Sequence, residues 1–411
     1  MREVIVIGGG VVGLASAWWL AEAGFGVTLL EASAELGAGA SFRNGGQLSY
    51  RYVAPFADAG VPLKALRWLL QKDGPLRFRP EADRRQWRWL AQFLAHCNAG
   101  THRRTTTRLL QLGELSRTAM ERLDGILPKE EFAWREAGKL VVYRSPRAFD
   151  AAARLAAGGE VLSAAECVAR EPALAAAQAV LAGGMFNRGE AVADCHAFCV
   201  GLGQRLRTHP RFRGVVRGDA RGFVVERGKV RWLDTSTGML AFDDFVLAAG
   251  IRSRTLAATA GMYLPLYPLK GYSLSAPVRP GDVAPDISVT DFERKVLYAR
   301  IGGQLRVAAM VDLVGEDASL DAGRIAGLLR QARATMPQAA DYGQVSAWAG
   351  LRPATPGSAP IIGATPLSNL WLNVGHGPLG FTFACGSASI LAAVMRGEAP
   401  PVSLEGLGLR A

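Results

Sequence analysis

Hydrophobic positions change their period twice within the first thirty residues. Val4 to Ile7 is an unbroken apolar run, as in a parallel strand buried on both faces. Glycines follow, and then Val11 to Ala23 repeats at helical spacing up to Gly24, a natural stop. Val27 to Leu30 is a second apolar run, ending at Glu31. The pattern predicts a β-α-β unit. Ala32 to Tyr52 is rich in Gly, Ser and Asn and reads as loop. Pro62 to Gln71 predicts an amphipathic helix, with Leu63, Leu66, Trp68, Leu69 and Leu70 set against Lys64, Arg67 and Lys72.

Longer helical patterns cover residues 83–97 and 104–125, then a strand near 138–143 and helices near 147–156 and 196–208. From Phe212 to Val246 the chain reads as short strands and turns, and Phe245 to Leu247 as another buried strand before Ala248-Ala249-Gly250. Residues 263–310 alternate as strands do, with turns at Pro280-Gly281 and Gly302-Gly303. A helix near 321–335, strands at Val345–Gly350 and Leu370–Val374, and a closing helix from Pro378 to Arg396 complete the pattern. Nucleotide-type elements at both ends enclose a different middle, which predicts an α/β protein with one discontinuous lobe.

Composition narrows the class. Of 411 residues, 49% are hydrophobic and 20% charged, enough apolar material for a large core. The formal charge of +11 favours anionic partners, but no nucleic-acid module accompanies it, so nucleic acid is not expected. No run of about 18 uninterrupted apolar residues predicts a spanning helix. The five cysteines form neither a disulfide framework nor a metal pattern, which points to a reducing, cytoplasmic setting and no metal.

Gly8-Gly9-Gly10-Val11-Val12-Gly13 matches G-x-G-x-x-G. It follows a strand, opens a helix and precedes a strand ending in an acid, which is the context of a dinucleotide site. Gly8 allows the tight turn, Gly10 lets backbone approach a pyrophosphate, and Gly13 lets helix and strand pack closely. The helix N-terminus favours phosphate, and Glu31 is placed to accept from a ribose diol. The motif alone does not separate NAD from FAD.

Six segments carry a resemblance. They are the fingerprint ending at Glu31, Ala40 to Ser49, Val61 to Trp68, Phe245 to Ser253, Gly350-Leu351-Arg352-Pro353, and Gly375 to Thr382. In this order the chain resembles the D-amino-acid dehydrogenase branch of the D-amino-acid oxidase superfamily of flavoproteins, over nearly its whole length. The resemblance implies a Rossmann-type FAD-binding domain (1–80, 145–262 and 345–411) and an antiparallel-sheet substrate domain (81–144 and 263–344).

It also implies roles for particular residues. Gly8, Gly10, Val11, Val12, Gly13, Glu31 and Ala32 would hold the ADP half of FAD. Ser41, Arg43, Asn44, Gly45, Gly46, Gln47 and Leu48 would form the loop beside the flavin ring. Val216 would lie near the adenine, with the register of its strand open, and Ala249 and Gly250 would follow the second FAD strand. His376, Gly377, Leu379, Gly380, Phe381 and Thr382 would bring backbone N–H groups to the ring. His376 is not assigned as a base.

Arg352 would clamp the substrate carboxylate through two parallel donors. Tyr272, a catalytic candidate that could bring a hydroxyl to the substrate, and Tyr50 and Tyr52 are candidates for substrate contact, although a tyrosine opening a strand is more often a packing residue. With no cysteine at the position used by covalent relatives, noncovalent FAD is expected. The implied reaction is dehydrogenation of a D-amino acid with hydride passing to FAD and electrons leaving to a quinone or respiratory acceptor. Alternatives are a cyclic secondary amine such as D-proline or hydroxy-D-proline, a glycine or sarcosine substrate, and a noncatalytic electron-transfer subunit. The 62–71 helix is expected first to pack on the core; the second reading lays it peripherally on the inner face of an anionic cytoplasmic membrane.

Overall fold

The computed structural model describes residues 1–71, 73–155 and 159–409. Strand β1 (Glu3–Ile7), helix α1 (Val11–Glu22) and strand β2 (Gly26–Glu31) form the expected unit. β1 and β2 pair in parallel within a six-stranded sheet, β1 at its centre. Asp244–Leu247 joins beside β1 and Phe212–Arg217 beside β2, both parallel. Leu370–Val374 extends the sheet, and Ile361–Ala364 closes it as an antiparallel edge. The central strands are apolar throughout because helices or the 220–240 meander cover both faces.

A nine-stranded sheet forms the second layer. Its path runs from Ser346–Ala354 through Tyr267–Pro277, Gln304–Leu313, Val296–Ile301, Ser288–Asp291, Lys139–Tyr143 and Gly183–Asn187 to Glu160–Leu162, with Leu76–Phe78 against residues 311–313. The expected boundaries divide these elements differently. Segments 76–78, 160–162, 183–187 and 346–354, read as part of the nucleotide lobe, pair in the second sheet. Conversely, a helix read as part of the substrate lobe packs with the first core. Among helices α2 (Val61–Leu69), α3 (Arg84–His96) and α4 (Ala99–Glu121), this is α4, whose Leu109, Leu112, Ala119 and Met120 meet the closing helix Gly380–Met395.

That closing helix lies between α1 and α4. Gly386 makes the approach to α4 possible, since a Cβ there would fall 2.8 Å from Ser116. Gly377–Met395 is long and apolar enough to cross a membrane, but its apolar surface is spent in this core. α2 departs from expectation in the opposite sense. None of its residues is buried; Leu63 is 74% exposed, and Leu70, which caps its end, 89%. The core packing expected first for this helix is therefore absent. Lys72, read as flanking it, and residue 156, read as ending the helix after 147, lie outside the described residues.

Candidate functional site

The glycine turn is held by close backbone approach. Gly8 has φ +111°, and a Cβ on it would stand 2.6 Å from the Ala248 carbonyl oxygen. A Cβ on Gly13 would overlap the Gly8 carbonyl at 1.8 Å, so neither position admits a larger residue. α1 has no acidic side chain in its first turn, and its cap, Gly10, contributes no side-chain acceptor. Ser41 Oγ accepts from Val11 N–H at 3.0 Å, which pins the start of the 41–48 segment to this turn beside Val12. The helix end is thus left electropositive, as an anion site requires.

Glu31 closes the turn from the other side. Its carboxylate accepts from Gly9 N–H at 2.5 Å and from Ser33 N–H at 2.7 Å, next to exposed Ala32. Both oxygens keep further lone pairs for outside donors. Val216 lies in register with Leu30, so its strand does border this corner. Ala249 and Gly250 follow the strand beside β1, and the Ala249 Cα lies 2.9 Å from where a Gly8 Cβ would be.

The 43–49 segment then crosses the second sheet strand by strand. The Arg43 carbonyl accepts from Ser273 Oγ (2.7 Å), and its guanidinium donates to Ser346 Oγ (2.8 Å). The Asn44 carbonyl accepts from buried Arg306 (2.6 Å). Gly45 faces Leu297, and a Cβ on Gly46 would stand 2.1 Å from Ile301 Cδ1, so the glycines let the segment lie flat. Gln47 donates to Ser288 Oγ (2.5 Å) and Leu48 is buried.

The 375–382 segment meets this loop from above. Gly375 and Gly377 take φ +84° and +55°. A short turn, Gly377–Leu379, leads into the closing helix at Gly380, with Phe381 and Thr382 buried in its first turn. Thr382 Oγ1 accepts from Ser49 N–H at 3.3 Å, which ties the helix start to the loop. His376 is buried, with Nε2 3.0 Å from Ser387 Oγ. Burial pushes its pKa down to about 3, so the ring is neutral at neutral pH and a weak proton acceptor.

Arg352 stands on the same sheet face. Its strand pairs with Tyr267–Pro277 so that Trp348, Gly350 and Arg352 share one side with Ser273, Gly271 and Leu269. The guanidinium lies over Gly271, and the Trp348 indole lies over Gly350. Arg352 donates to the Met310 carbonyl at 2.9 Å. Met310 has φ +71° at a bulge in the Gln304–Leu313 strand. Among the described residues no carboxylate pairs with this guanidinium; the negative charge acting on it is Asp312, one strand position beyond the bulge. Burial pushes its pKa down to about 10, which leaves it cationic at neutral pH. A partly buried arginine with one backbone partner has donors free for a carboxylate.

Of three tyrosines read as substrate contacts, two are buried in the cores and one is exposed. Tyr272 is one residue past Gly271, so strand alternation turns it to the opposite face. There it is buried in the second core and donates to Asp312 at 3.0 Å, away from Arg352. Tyr50 is buried in the first core. Tyr52 is exposed, with its ring 4.6 Å from Lys139 Nζ.

A family profile described as FAD dependent oxidoreductase matches residues 3–394. The chain belongs to this family. A protein of Pseudomonas aeruginosa named D-amino acid dehydrogenase 2 is 49% identical, over 99% of this chain and 98% of its own. A D-amino acid dehydrogenase of Vibrio cholerae is 37% identical, over 100% and 98%. Among solved structures, glycine oxidase from Geobacillus kaustophilus shares the fold with a TM-score of 0.76 at 20% identity, over 100% and 99% of the two chains. L-proline dehydrogenase from P. horikoshii does so with a TM-score of 0.72 at 17% identity, over 99% and 96%.

The residues of this FAD-dependent oxidoreductase fit its cofactor. The glycine turn and Glu31 suit a pyrophosphate and a ribose, and Gly45 and Gly46 let the 43–47 segment lie flat along the sheet face that carries Arg352. Thr290 Oγ1, buried on the same sheet face, has no hydrogen-bond partner among the described residues. Cys385 is buried within the closing helix against Met120 (4.0 Å). Reading by motif missed Trp348, Met310 and Lys139. Trp348 was available from period-two spacing with Arg352, and Lys139 as a charge opening an apolar strand.

Proposed function

We propose that this chain dehydrogenates D-amino acids, giving a 2-oxo acid and ammonia after the imino product hydrolyses, and delivers the electrons to a quinone or similar respiratory acceptor. The observation that carries the reading is Arg352, a cation without a carboxylate partner among the described residues, on the sheet face that the flavin-side loop crosses. An α-carboxylate paired with it would be fixed in orientation as well as bound. Gly271 and the bulge at Met310 hold the guanidinium in place, and the Trp348 indole forms a wall beside it.

FAD, when bound, supplies the two-electron acceptor for the Cα hydride. The chain's own contribution is placement and charge. Arg352 orients the substrate, and the start of the closing helix offers N–H groups where negative charge collects. His376, neutral and weakly basic, is given no proton-transfer role in this reading, in which the substrate reacts as the free amine. The D configuration follows the names of the full-length relatives.

The exposed leucines of α2 support a peripheral seat on the cytoplasmic face of an anionic membrane, where a quinone would be met. Lys64 and Arg67 interleave with Leu63, Leu66 and Leu69, as in helices that lie in a lipid interface. The reaction is tested by adding matched D and L amino acids to the anaerobic holoenzyme and following the flavin absorbance. Bleaching by D forms alone is expected; bleaching by L forms at equal rate, or by neither, contradicts the reading.

A further inference from the structure

Lys139 is a buried cation outside the nucleotide turn and the Arg352 clamp. It opens the apolar Lys139–Tyr143 strand, is 1% exposed, and lies on the site face of the second sheet. Its ammonium donates to Gln47 Oε1 at 2.5 Å and to Ser49 Oγ at 3.1 Å, beneath the Tyr52 ring. Both partners connect directly to the start of the closing helix: Thr382 Oγ1 accepts from Ser49 N–H and donates to the Gln47 carbonyl at 3.5 Å. Lysines are almost never fully buried without an ionic partner, because desolvation is costly. No carboxylate among the described residues forms an ion pair with Lys139. The nearest acid acting on it, Glu190, spends its oxygens on Tyr50 and Arg51 N–H groups at 2.6 and 2.9 Å.

We propose that Lys139 is a positioning residue of the flavin site. Through Gln47 and Ser49 its ammonium fixes the 47–52 segment, and its positive charge favours negative charge on the ring system that this segment lines. The proposal rests on the flavin-site reading of the 43–49 loop and deepens it. Burial pushes the Lys139 pKa down to about 8, so the charge is present at neutral pH. The same low-polarity surroundings that depress it strengthen its field on neighbouring groups. A tether alone would need only a neutral donor such as an amide; a charge that also acts on the ring makes a distinct demand.

The test is the midpoint potential of the bound flavin in the wild-type holoenzyme and in Lys139→Met, Lys139→Gln and Lys139→Arg. Removing the charge is expected to cut the preference for reduced over oxidised FAD about tenfold, roughly 30 mV for a two-electron couple. Arg should restore most of it. Lys139→Gln keeps a donor for Gln47 and Ser49, so it decides the matter even if the Met variant fails to load FAD. A Gln variant with wild-type potential overturns the proposal. A wild-type protein that cannot be loaded with FAD would instead strike the reading of the site itself.

Discussion

Arg352 lies across Gly271: a Cβ at position 271 would stand 2.1 Å from a guanidinium nitrogen. The two residues sit on adjacent strands of one sheet, and the glycine is what lets the arginine lie flat over the site. Gly271→Ala should therefore displace the clamp without touching the nucleotide turn. The expected result is at least a tenfold rise in the substrate concentration for half-reduction of the flavin, about 1.4 kcal/mol, with FAD content unchanged. Stopped-flow flavin reduction against substrate concentration reads it, and unchanged saturation would show that Gly271 does not govern the clamp.

Glu31 joins the glycine turn to the end of β2 through Gly9 and Ser33. Glu31→Ala removes both contacts and the acceptor for a ribose. FAD affinity should fall by roughly ten- to a hundredfold, on the scale of one or two charge-assisted hydrogen bonds. Equilibrium dialysis of apoprotein with FAD measures it, and wild-type affinity would contradict the placement of the ribose.

His376 gives stability a pH dependence. Its pKa falls from an ordinary value of 6.5 to about 3 through burial. Between these values the unfolded chain takes up the proton and the folded chain does not, so stability is lost as pH drops below about 6.5 and the loss is complete near pH 3. The loss is on the order of 5 kcal/mol. His376→Gln should flatten denaturant midpoints between pH 6.5 and 4; an equally steep fall in the variant would assign the acid sensitivity to other groups.

α2 should bind lipid. Leu66 and Leu70 are 61% and 89% exposed beside Lys64 and Arg67. Sedimentation with anionic vesicles at low salt is expected to carry wild type down and to leave a Leu66→Asp/Leu70→Asp variant in solution. Equal behaviour of the two would remove α2 as the contact.

Local signals in the sequence identified the β-α-β turn, because it rests on residue types that few other conformations need; the loop and the clamp role of Arg352 came from the family resemblance. Gly8 and Gly13 are required by backbone contacts shorter than a methyl group allows. Tyr272 went astray through parity: with Gly271 facing the site, alternation sends its neighbour to the core. The strand expected at Val345–Gly350 continues to Ala354, since Pro353 is tolerated in a strand at the sheet edge. The pairing of residues 160–162 and 183–187 with the second sheet depends on partners distant in sequence. Amphipathicity placed α2 as a helix and could not say what its apolar face meets.

The central claim is that Arg352 holds the substrate carboxylate beside the flavin. Anaerobic reduction of the FAD-loaded Arg352→Ala variant by its best D-amino acid tests it most directly. Substrate affinity should fall about a hundredfold, with flavin content and its absorption spectrum unchanged, and Arg352→Lys should recover only part of the loss. An alanine variant that saturates with amino acid as the wild type does would contradict the account.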